Sequence, residues 1–414
     1  MTLDGNSPSE AIAQAYVRLA LAIDRHYPGY VDGYYGPAEW KSAEGEGDPR
    51  PLADLLKRAN ELAEAIAASP ELDEQRRDYL AHEALTAQTT IRLLQGEPLS
   101  LAQEVAGVYD LQIAWTEEAV FEQLRHKLGE LLPGEGALEE RYAAREKSLE
   151  VPAERVEPLA RYALEELRRR TDALFHLPPE DAVELILPDA DEPWAGYHEY
   201  LGNHHSRIAV NTHWPQHLSN FIHILAHEGY PGHHTEHSLK ERRLTRQLGR
   251  AEHCLVMANS PSCVISEGAA MLALETAFSE DELADWFEQE IFPRAGLKSM
   301  QARRQLEITR LARRIEGLFG NAVILLYDRQ APDEEVYAYM RRYSPEPEEN
   351  LRAMLDFMKD RLRRSYTFCY AYGTRMMEEL FAALGAGERA GWYLRAISEP
   401  TTPSQVRRWI AEAK

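Results

Sequence analysis

Histidine and glutamate side chains are concentrated in one stretch of the sequence, residues 223–237. Five of the fifteen histidines of the 414-residue chain fall within these fifteen positions, and Glu228 directly follows His227. Phe221 and Leu225 belong to an apolar face at helical spacing on the segment that carries these two residues. Imidazole and carboxylate groups bind zinc, and a glutamate beside a metal-binding histidine can act as a general base. The stretch therefore predicts a metal site with its own base.

The spacing of these histidines does not match that of a zinc site on one regular helix. Zinc-binding histidine pairs usually lie at positions i and i+4, but the fourth residue after His227 is Pro231. His233 and His234 follow at i+6 and i+7, and seven residues of regular helix span about 10.5 Å, too far for two ligands of one ion. A proline ring clashes with the carbonyl of residue i−4, here His227 itself. The helix must therefore bulge or break, which brings His233, or alternatively His234, back to His227.

Other interpretations of the histidines stay open at this point. A bulge of two residues would be enough to restore His233 to a position like i+4. The whole stretch could also be a mixture of core and surface histidines with no metal. Three further pairs have i, i+4 spacing and could bind metal by geometry alone: His223/His227, His213/His217 and His233/His237.

Three segments of the chain resemble a known family. Residues 227–234 read HEGYPGHH, which resembles the HExxPGHH signature of the bacterial family called "domain of unknown function 885". Ile265–Met271 resembles the later Glu-Gly helix of that family, although Ala269 stands where the family often has tryptophan. Tyr370, three residues before Gly373, matches a third and shorter pattern. The family is similar to gluzincin metallopeptidases, which are mostly helical with a small sheet.

The resemblance implies a complete catalytic site. Its ligand set corresponds to His227, His233 and Glu267 around one Zn²⁺ ion, with a fourth position left open. Glu228 corresponds to the general base, and Tyr370 to the residue that stabilises the oxyanion. The function implied is zinc-dependent hydrolysis, as a metallopeptidase acting on peptide bonds.

Several residues remain alternatives for the roles around such a metal site. Tyr366, Tyr372 and His234 could each donate to the oxyanion in place of the first-choice tyrosine. Arg375 or Arg364 could bind a substrate carboxylate. Two other functions also stay open: a metal-binding protein without turnover, and a metallohydrolase of non-peptide amides or esters.

Composition limits the partners that we expect. Acidic residues outnumber basic ones by 68 to 46, giving a formal net charge of −22, which argues against nucleic-acid and anionic-membrane partners. The expected partner is a peptide or a small amide substrate. Residues 1–6 lack a basic segment, no apolar run approaches the length of a membrane span, and the three cysteines have no CxxC spacing. A cytoplasmic protein with buried, reduced cysteines is the expectation.

The elements that position the site are predicted to be mainly helical. Ser7 as a cap and Pro8 as the first residue predict a helix that extends to His26. Residues 1–180 form an N-terminal helical region, and residues 181–414 carry the metal site, a small sheet and the C-terminal helices. The two regions are expected to build one continuous, gluzincin-like fold that encloses a cleft.

The predicted sheet is small and antiparallel and precedes the metal-binding helix. Alternating apolar residues predict a strand over 183–187, and two further strands form a hairpin around Gly202 and Asn203. Ile208 to Asn211 is predicted to be the edge strand beside which a substrate could pair.

Overall fold

The structure, a computed structural model, describes residues 7–191, 194–298, 300–360 and 363–413. Residues 1–6, which contributed to the cytoplasmic prediction, lie outside the described residues. The chain is mainly α-helical with a small sheet before the histidine-rich stretch, as the sequence predicts, and it has a second, two-stranded sheet that was not predicted. The α-helices are α1 (Pro8–Asp24), α2 (Ala38–Gly45), α3 (Leu52–Ala68), α4 (Glu74–Leu94), α5 (Leu101–Tyr109), α6 (Glu118–Leu131), α7 (Leu138–Ser148), α8 (Ala153–Phe175), α9 (Leu218–Glu228), α10 (His233–Lys240), α11 (Pro261–Met271), α12 (Ala273–Ala277), α13 (Glu280–Trp286), α14 (Phe292–Ala295), α15 (Ala302–Ile315), α16 (Leu318–Tyr327), α17 (Asp333–Tyr343), α18 (Glu348–Lys359), α19 (Thr367–Ala383), α20 (Arg389–Ser398) and α21 (Pro403–Ala413).

Short segments of other helix types connect some of these helices. Two are π-helical, Glu241–Gln247 and Phe287–Ile291, and three are 3-10 helices, Ala251–Cys254, Arg364–Tyr366 and Ala386–Glu388. The five strands are β1 (Val31–Tyr34), β2 (Ala182–Ile186), β3 (Gly196–Gly202), β4 (His205–Val210) and β5 (Leu255–Met257).

Helix α1 begins where the sequence predicts. The Ser7 side chain accepts a hydrogen bond from the Glu10 amide, and the Glu10 carboxylate bonds back to the Ser7 amide. This reciprocal cap satisfies two amides that the first turn leaves without partners. The helix ends at Asp24, two residues before the predicted limit at His26.

The three-stranded sheet differs from the prediction in its strand order, β2-β4-β3. Strands β3 and β4 form the predicted antiparallel hairpin, but β2 joins the other side of β4 in parallel, with Leu185 opposite Ile208. The prediction that Ile208 to Asn211 is an edge strand is therefore wrong. β4 hydrogen-bonds on both sides, and its Ile208 and Val210 side chains are fully buried, as is typical of a central strand. The outer strand next to the site is β3.

Three apolar clusters form the core, and each combines residues from both sides of residue 180. The first centres on α1, α3 and α4 and includes Leu255. The second joins α8 to α9, β4 and α12–α14. The third joins α5 and α6 to α11, α15–α19 and α21. The candidate metal ligands lie on α9, α10 and α11, which contribute residues to the second and third clusters.

No helix in the described part of the chain is both long enough and apolar enough to cross a membrane.

Candidate metal centre

The helix that carries His227 breaks before His233. Helix α9 ends at Glu228 and α10 begins at His233, so the chain between them folds back instead of making the two-residue bulge that the sequence allowed. The Gly232 amide donates to the Ala226 carbonyl over 3.0 Å. A Cβ atom on Gly232 would lie 1.9 Å from the His227 carbonyl oxygen, so no other residue could follow this path without moving the backbone. The predicted break is confirmed.

This fold-back brings together two imidazoles and a carboxylate. His227 Nε2 and His233 Nε2 lie 3.1 Å apart. Glu267 Oε2 is 3.2 Å from His227 Nε2, and Glu267 Oε1 is 3.7 Å from His233 Nε2. Ligands of a tetrahedral zinc ion with bonds of 2.0–2.1 Å are about 3.3 Å apart. The three side chains thus have the spacing of a zinc ligand set.

The chemistry of these donor atoms also suits a cation. Glu267 is buried, and its Oε2 atom accepts no hydrogen bond from any described residue. A buried carboxylate oxygen without a partner is costly, and a bound cation would satisfy it. Within the described ranges, His227, His233 and Glu267 are the single group of three such side chains whose ligand atoms lie within 4.8 Å of one another.

Glu267 is positioned by α11 and by a tyrosine of the neighbouring helix. The Tyr366 hydroxyl donates a hydrogen bond to Glu267 Oε1, so it orients this carboxylate. Burial opposes ionisation of Glu267, but the imidazole of His227 3.2 Å away and the charge of His233 keep its pKa below the usual value. The carboxylate is therefore in the ionised form that binds metal.

His233 is oriented by a chain of polar groups on its other ring nitrogen. His233 Nδ1 lies 3.0 Å from Ser266 Oγ, and the Ser266 hydroxyl donates to Glu236. Lys240 completes the chain 2.6 Å from Glu236. Burial lowers the pKa of His233, but the carboxylates of Glu236 and Glu267 outweigh it and raise that pKa to about 10. Binding of a metal ion must therefore displace a proton.

His234, the alternative ligand, is occupied elsewhere. It is fully buried, with Nε2 2.8 Å from Asp181 Oδ1 and Nδ1 2.7 Å from Ser206 Oγ. Tyr230 donates to the other oxygen of Asp181 over 2.7 Å. Burial tends to raise the pKa of Asp181, but the hydrogen bonds from His234 and Tyr230 outweigh burial and lower it. His234 therefore helps to hold α10 to the sheet and has no free nitrogen for metal or for an oxyanion.

The remaining histidine pairs also have other contacts. His223 Nδ1 lies 2.8 Å from Arg313 Nη1, and His213 Nδ1 lies 2.8 Å from Asp189 near the surface. His237 stacks almost parallel on His198, with 5.4 Å between ring centroids. None of these three histidines belongs to the metal-type group, by which we mean His227, His233 and Glu267.

Glu228 lies beside the three ligand-type residues and against strand β3. A Cβ atom on Gly196 would lie 2.5 Å from Ile224 Cγ2 and 3.1 Å from Glu228 Oε1, so the start of this strand packs directly on the carboxylate. Burial raises the pKa of Glu228, and the carboxylates of Glu267 and Asp32 add to this effect, while the two imidazoles oppose it. A carboxylate with a raised pKa is a stronger base than an ordinary glutamate.

The tyrosines considered as hydrogen-bond donors to the oxyanion lie in different surroundings. Tyr370 is 40% exposed, and its ring packs on that of Tyr366 with 5.6 Å between centroids. Burial raises the pKa of Tyr370, and the charges of Glu267 and Glu228 contribute. The Tyr372 hydroxyl instead accepts from the Ala114 amide over 2.9 Å.

The two arginines named as carboxylate anchors have structural partners. Arg364 hydrogen-bonds to the buried Glu104 through two nitrogens and stacks on Tyr327 at 4.2 Å. Arg375 lies 3.7 Å from Glu379 on the same exposed helix face. Neither prediction is supported by these contacts.

A cleft of about 1730 Å³ lies on the side of α15, α16 and α19. Its lining includes Ala195, His223 and Tyr370, and Val120 and Leu174 are exposed apolar residues of its wall. The cleft comes closest to the ligand-type residues through His223, whose ring is 5.7 Å from that of His227 between centroids. No role was predicted from the sequence for Asp32, Gly196 and Arg313, because they come from segments distant from the histidines. None was predicted for Glu236 and Ser266 either, although Glu236 lies within residues 223–237 and Ser266 directly precedes Glu267.

Comparisons with known proteins support the fold and leave the family open. No family model matches the chain, and no curated protein matches it. A candidate lipoprotein from Colwellia psychrerythraea superposes with a TM-score of 0.55 and 14% identity, over 87% of this chain and 70% of that one. Metallocarboxypeptidase 1 of Trypanosoma cruzi gives a TM-score of 0.48 and 13% identity, over 98% and 99% of the two chains. At these identities the likeness concerns the fold alone.

Proposed function

We propose that this chain is a zinc-dependent hydrolase, and that it is a metallopeptidase. The observation that carries the proposal is the triangle of His227, His233 and Glu267 at zinc-ligand spacing, with Glu228 beside it. A structural zinc site normally has four protein ligands, whereas a catalytic one has three and keeps a position open. The described residues supply three.

The protein groups have distinct roles in this proposal. Zinc, when bound, supplies a Lewis acid that polarises a carbonyl and lowers the pKa of water towards about 7. Glu228 takes a proton from the attacking water and later delivers it to the nitrogen of the leaving amine. Tyr370 donates a hydrogen bond to the carbonyl oxygen as negative charge develops there. Tyr366 and Ser266 hold two of the ligands in place.

Strand β3 provides a surface for an extended substrate. It is the outer strand of its sheet, and its first residue, Gly196, packs on Glu228. A peptide that added to this edge would carry its scissile bond past the base. The absence of a side chain at Gly196 lets the strand pack directly on Ile224 and Glu228.

Two alternative functions use the same residues. A metal-binding protein without turnover would need no base at Glu228. A hydrolase of non-peptide amides or esters would use the same base and ligands, and differs from a peptidase only in what the cleft accepts.

Metal analysis tests the first step of the proposal. Protein purified without chelator should contain about one equivalent of zinc, and chelator treatment should lower its melting temperature. Zinc bound at a hundred times its dissociation constant adds about 2.7 kcal/mol of stability. If zinc neither copurifies nor raises the melting temperature of the chelated protein, the metal site is rejected.

A peptide-library digest tests the second step. Wild-type protein is compared with Glu228→Gln, which keeps the size of the side chain but removes the base. Cleavage by the wild type, with loss of about 1000-fold or more in the variant, supports the proposal. Equal cleavage by both proteins would falsify the assigned base, and cleavage of amide or ester metabolites alone would favour the non-peptide hydrolase.

A further inference from the structure

Arg313 and His223 form a hydrogen-bonded pair in the wall of the cleft. Arg313 Nη1 lies 2.8 Å from His223 Nδ1, and Arg313 Nη2 lies 3.4 Å from the Ser219 carbonyl oxygen. A guanidinium group has only N–H donors, so His223 Nδ1 must accept. The neutral imidazole therefore carries its proton on Nε2. Burial, together with the charge of Arg313, holds the pKa of His223 well below its usual value.

Arg313 differs in its partners from Arg310 and Arg314, its neighbours on the same helix. Arg310 lies 3.2 Å from Glu280, and Arg314 lies 2.7 Å from Glu378. In the part of the chain that the structure describes, no carboxylate oxygen lies within 4.0 Å of the Arg313 guanidinium. Since two of its five N–H groups are used by His223 and Ser219, the others remain as donors.

The carboxylates near Arg313 act only at longer range. Burial lowers the pKa of Arg313, while the charges of Glu275 and Glu316 raise it, and Arg145 opposes them. Glu275 lies 3.9 Å from Arg310, and its Oε2 atom accepts no hydrogen bond from the described residues.

The location of the pair limits what it can bind. Both side chains line the cleft, and the His223 ring is 5.7 Å from that of His227, measured between centroids. In a peptide, the α-carboxylate carbon of the last residue is roughly 3–4 Å from the carbonyl carbon of the preceding residue. A carboxylate bound beside His223, one side chain away from the metal ligands, is therefore in the position of the last residue of a peptide substrate. A peptide that continued beyond this residue would collide with Arg313 and His223.

We propose that Arg313 and the Nε2–H of His223 form a subsite for the C-terminal carboxylate of a peptide, which makes the chain a carboxypeptidase. This inference rests on the proposed metallopeptidase function and specifies its substrate. Guanidinium groups bind carboxylates through charge-assisted, often paired, hydrogen bonds. The apolar side chains exposed in the cleft, among them Val120 and Leu174, would contact the last side chain of the peptide.

The test compares two peptides that differ only in a free or an amidated C-terminus. For wild-type protein we expect kcat/KM to be about 10- to 100-fold higher for the free acid, the range for hydrogen bonds to a charged group. Arg313→Ala should abolish this preference by lowering only the free-acid value, and Arg313→Lys should keep part of it. Arg314→Ala is the matched control, because that arginine is next in sequence and already paired with Glu378; it should keep the full preference.

A binding measurement keeps the inference testable without turnover. Zinc-loaded Glu228→Gln protein is titrated with N-acetyl-leucine and with N-acetyl-leucinamide by calorimetry, alone and combined with Arg313→Ala. Preferential binding of the acid that is lost with Arg313 supports the subsite. Equal binding of acid and amide, or equal hydrolysis of the two peptides by the wild type, overturns it. If neither peptide is cleaved but the acid binds through Arg313, the peptidase proposal fails and the carboxylate subsite stands.

Discussion

Gly268 and Gly373 lie back to back where helices α11 and α19 cross. A Cβ atom on Gly268 would fall 2.3 Å from the Gly373 carbonyl carbon, and one on Gly373 would fall 2.1 Å from the Val264 carbonyl oxygen. This contact sets the distance between Glu267 on one helix and the tyrosines at the start of the other. The two glycines therefore explain the Glu-Gly and Tyr-x-x-Gly patterns as one packing arrangement.

Substitution of Gly268 by alanine should separate the two helices and weaken the metal site. The added methyl group meets backbone atoms, which cannot rotate away, so we expect a loss of about 2 kcal/mol or more in the free energy of unfolding. Zinc affinity should also fall, because Glu267 moves with its helix. The measurements are chemical denaturation and competition with a chelator. Gly391→Ala is the control, since its Cβ would meet open space; equal effects of the two substitutions would contradict this packing role.

The two tyrosines of α19 should differ in what their hydroxyl groups do. Tyr366→Phe removes the hydrogen bond to Glu267 and should weaken zinc binding about 10- to 100-fold, as loss of a group that orients a ligand commonly does. Tyr370→Phe should leave zinc affinity nearly unchanged and lower kcat about 100- to 1000-fold, as loss of an oxyanion donor does. Chelator competition and steady-state kinetics on both variants separate the roles. The opposite pattern would exchange the two assignments.

His233 and His234 should respond differently to substitution. His233→Ala removes a proposed ligand and should abolish stoichiometric zinc binding. His234→Ala should retain one zinc per chain at saturating metal, but should destabilise the protein by about 3–5 kcal/mol, because Asp181 loses a buried partner. Metal content and unfolding curves provide the comparison. Loss of zinc only in the His234 variant would reverse the choice of ligand.

The buried Glu83 should make stability depend on pH, away from the metal centre. It accepts a hydrogen bond from Tyr16 over 2.8 Å, and burial raises its pKa to about 7. The unfolded chain releases the proton of Glu83 at a lower pH than the folded chain does. The stability that protonated Glu83 contributes to the folded protein is therefore lost as pH rises from about 4.5 to about 7. The difference in free energy of unfolding between Glu83→Gln and wild type should therefore shift in favour of the variant by roughly 2–3 kcal/mol from pH 5 to pH 8.

Unfolding free energies of wild type and Glu83→Gln at several pH values provide the measurement. The exposed Glu64 lies on the adjacent helix α3, and Glu64→Gln is the matched control. It should show no change with pH relative to wild type. A difference between wild type and Glu83→Gln that stays constant from pH 5 to pH 8 would show that Glu83 is ionised throughout this range in the folded protein.

Part of the site was predictable because its causes are local. The residue types in 223–237 indicated metal chemistry, and the proline at 231 required a break in the helix that the structure contains. The helical character of the chain and the β3–β4 hairpin followed from periodicity and turn residues. The strand order did not, because parallel pairing of β2 with β4 depends on how the sheet packs on α8 and α9.

The sequence by itself determined which groups could bind a metal, where the helix must break, and, through resemblance, that Glu267 is a third ligand candidate. Only the tertiary structure decided that His233 faces His227 while His234 faces Asp181, that Tyr366 donates a hydrogen bond to Glu267, and that Arg313 pairs with His223. The physical reason is the separation along the chain. Steric clashes and side-chain periodicity act over a few residues, whereas these contacts join segments from 6 to 99 residues apart and exist only once the helices have packed.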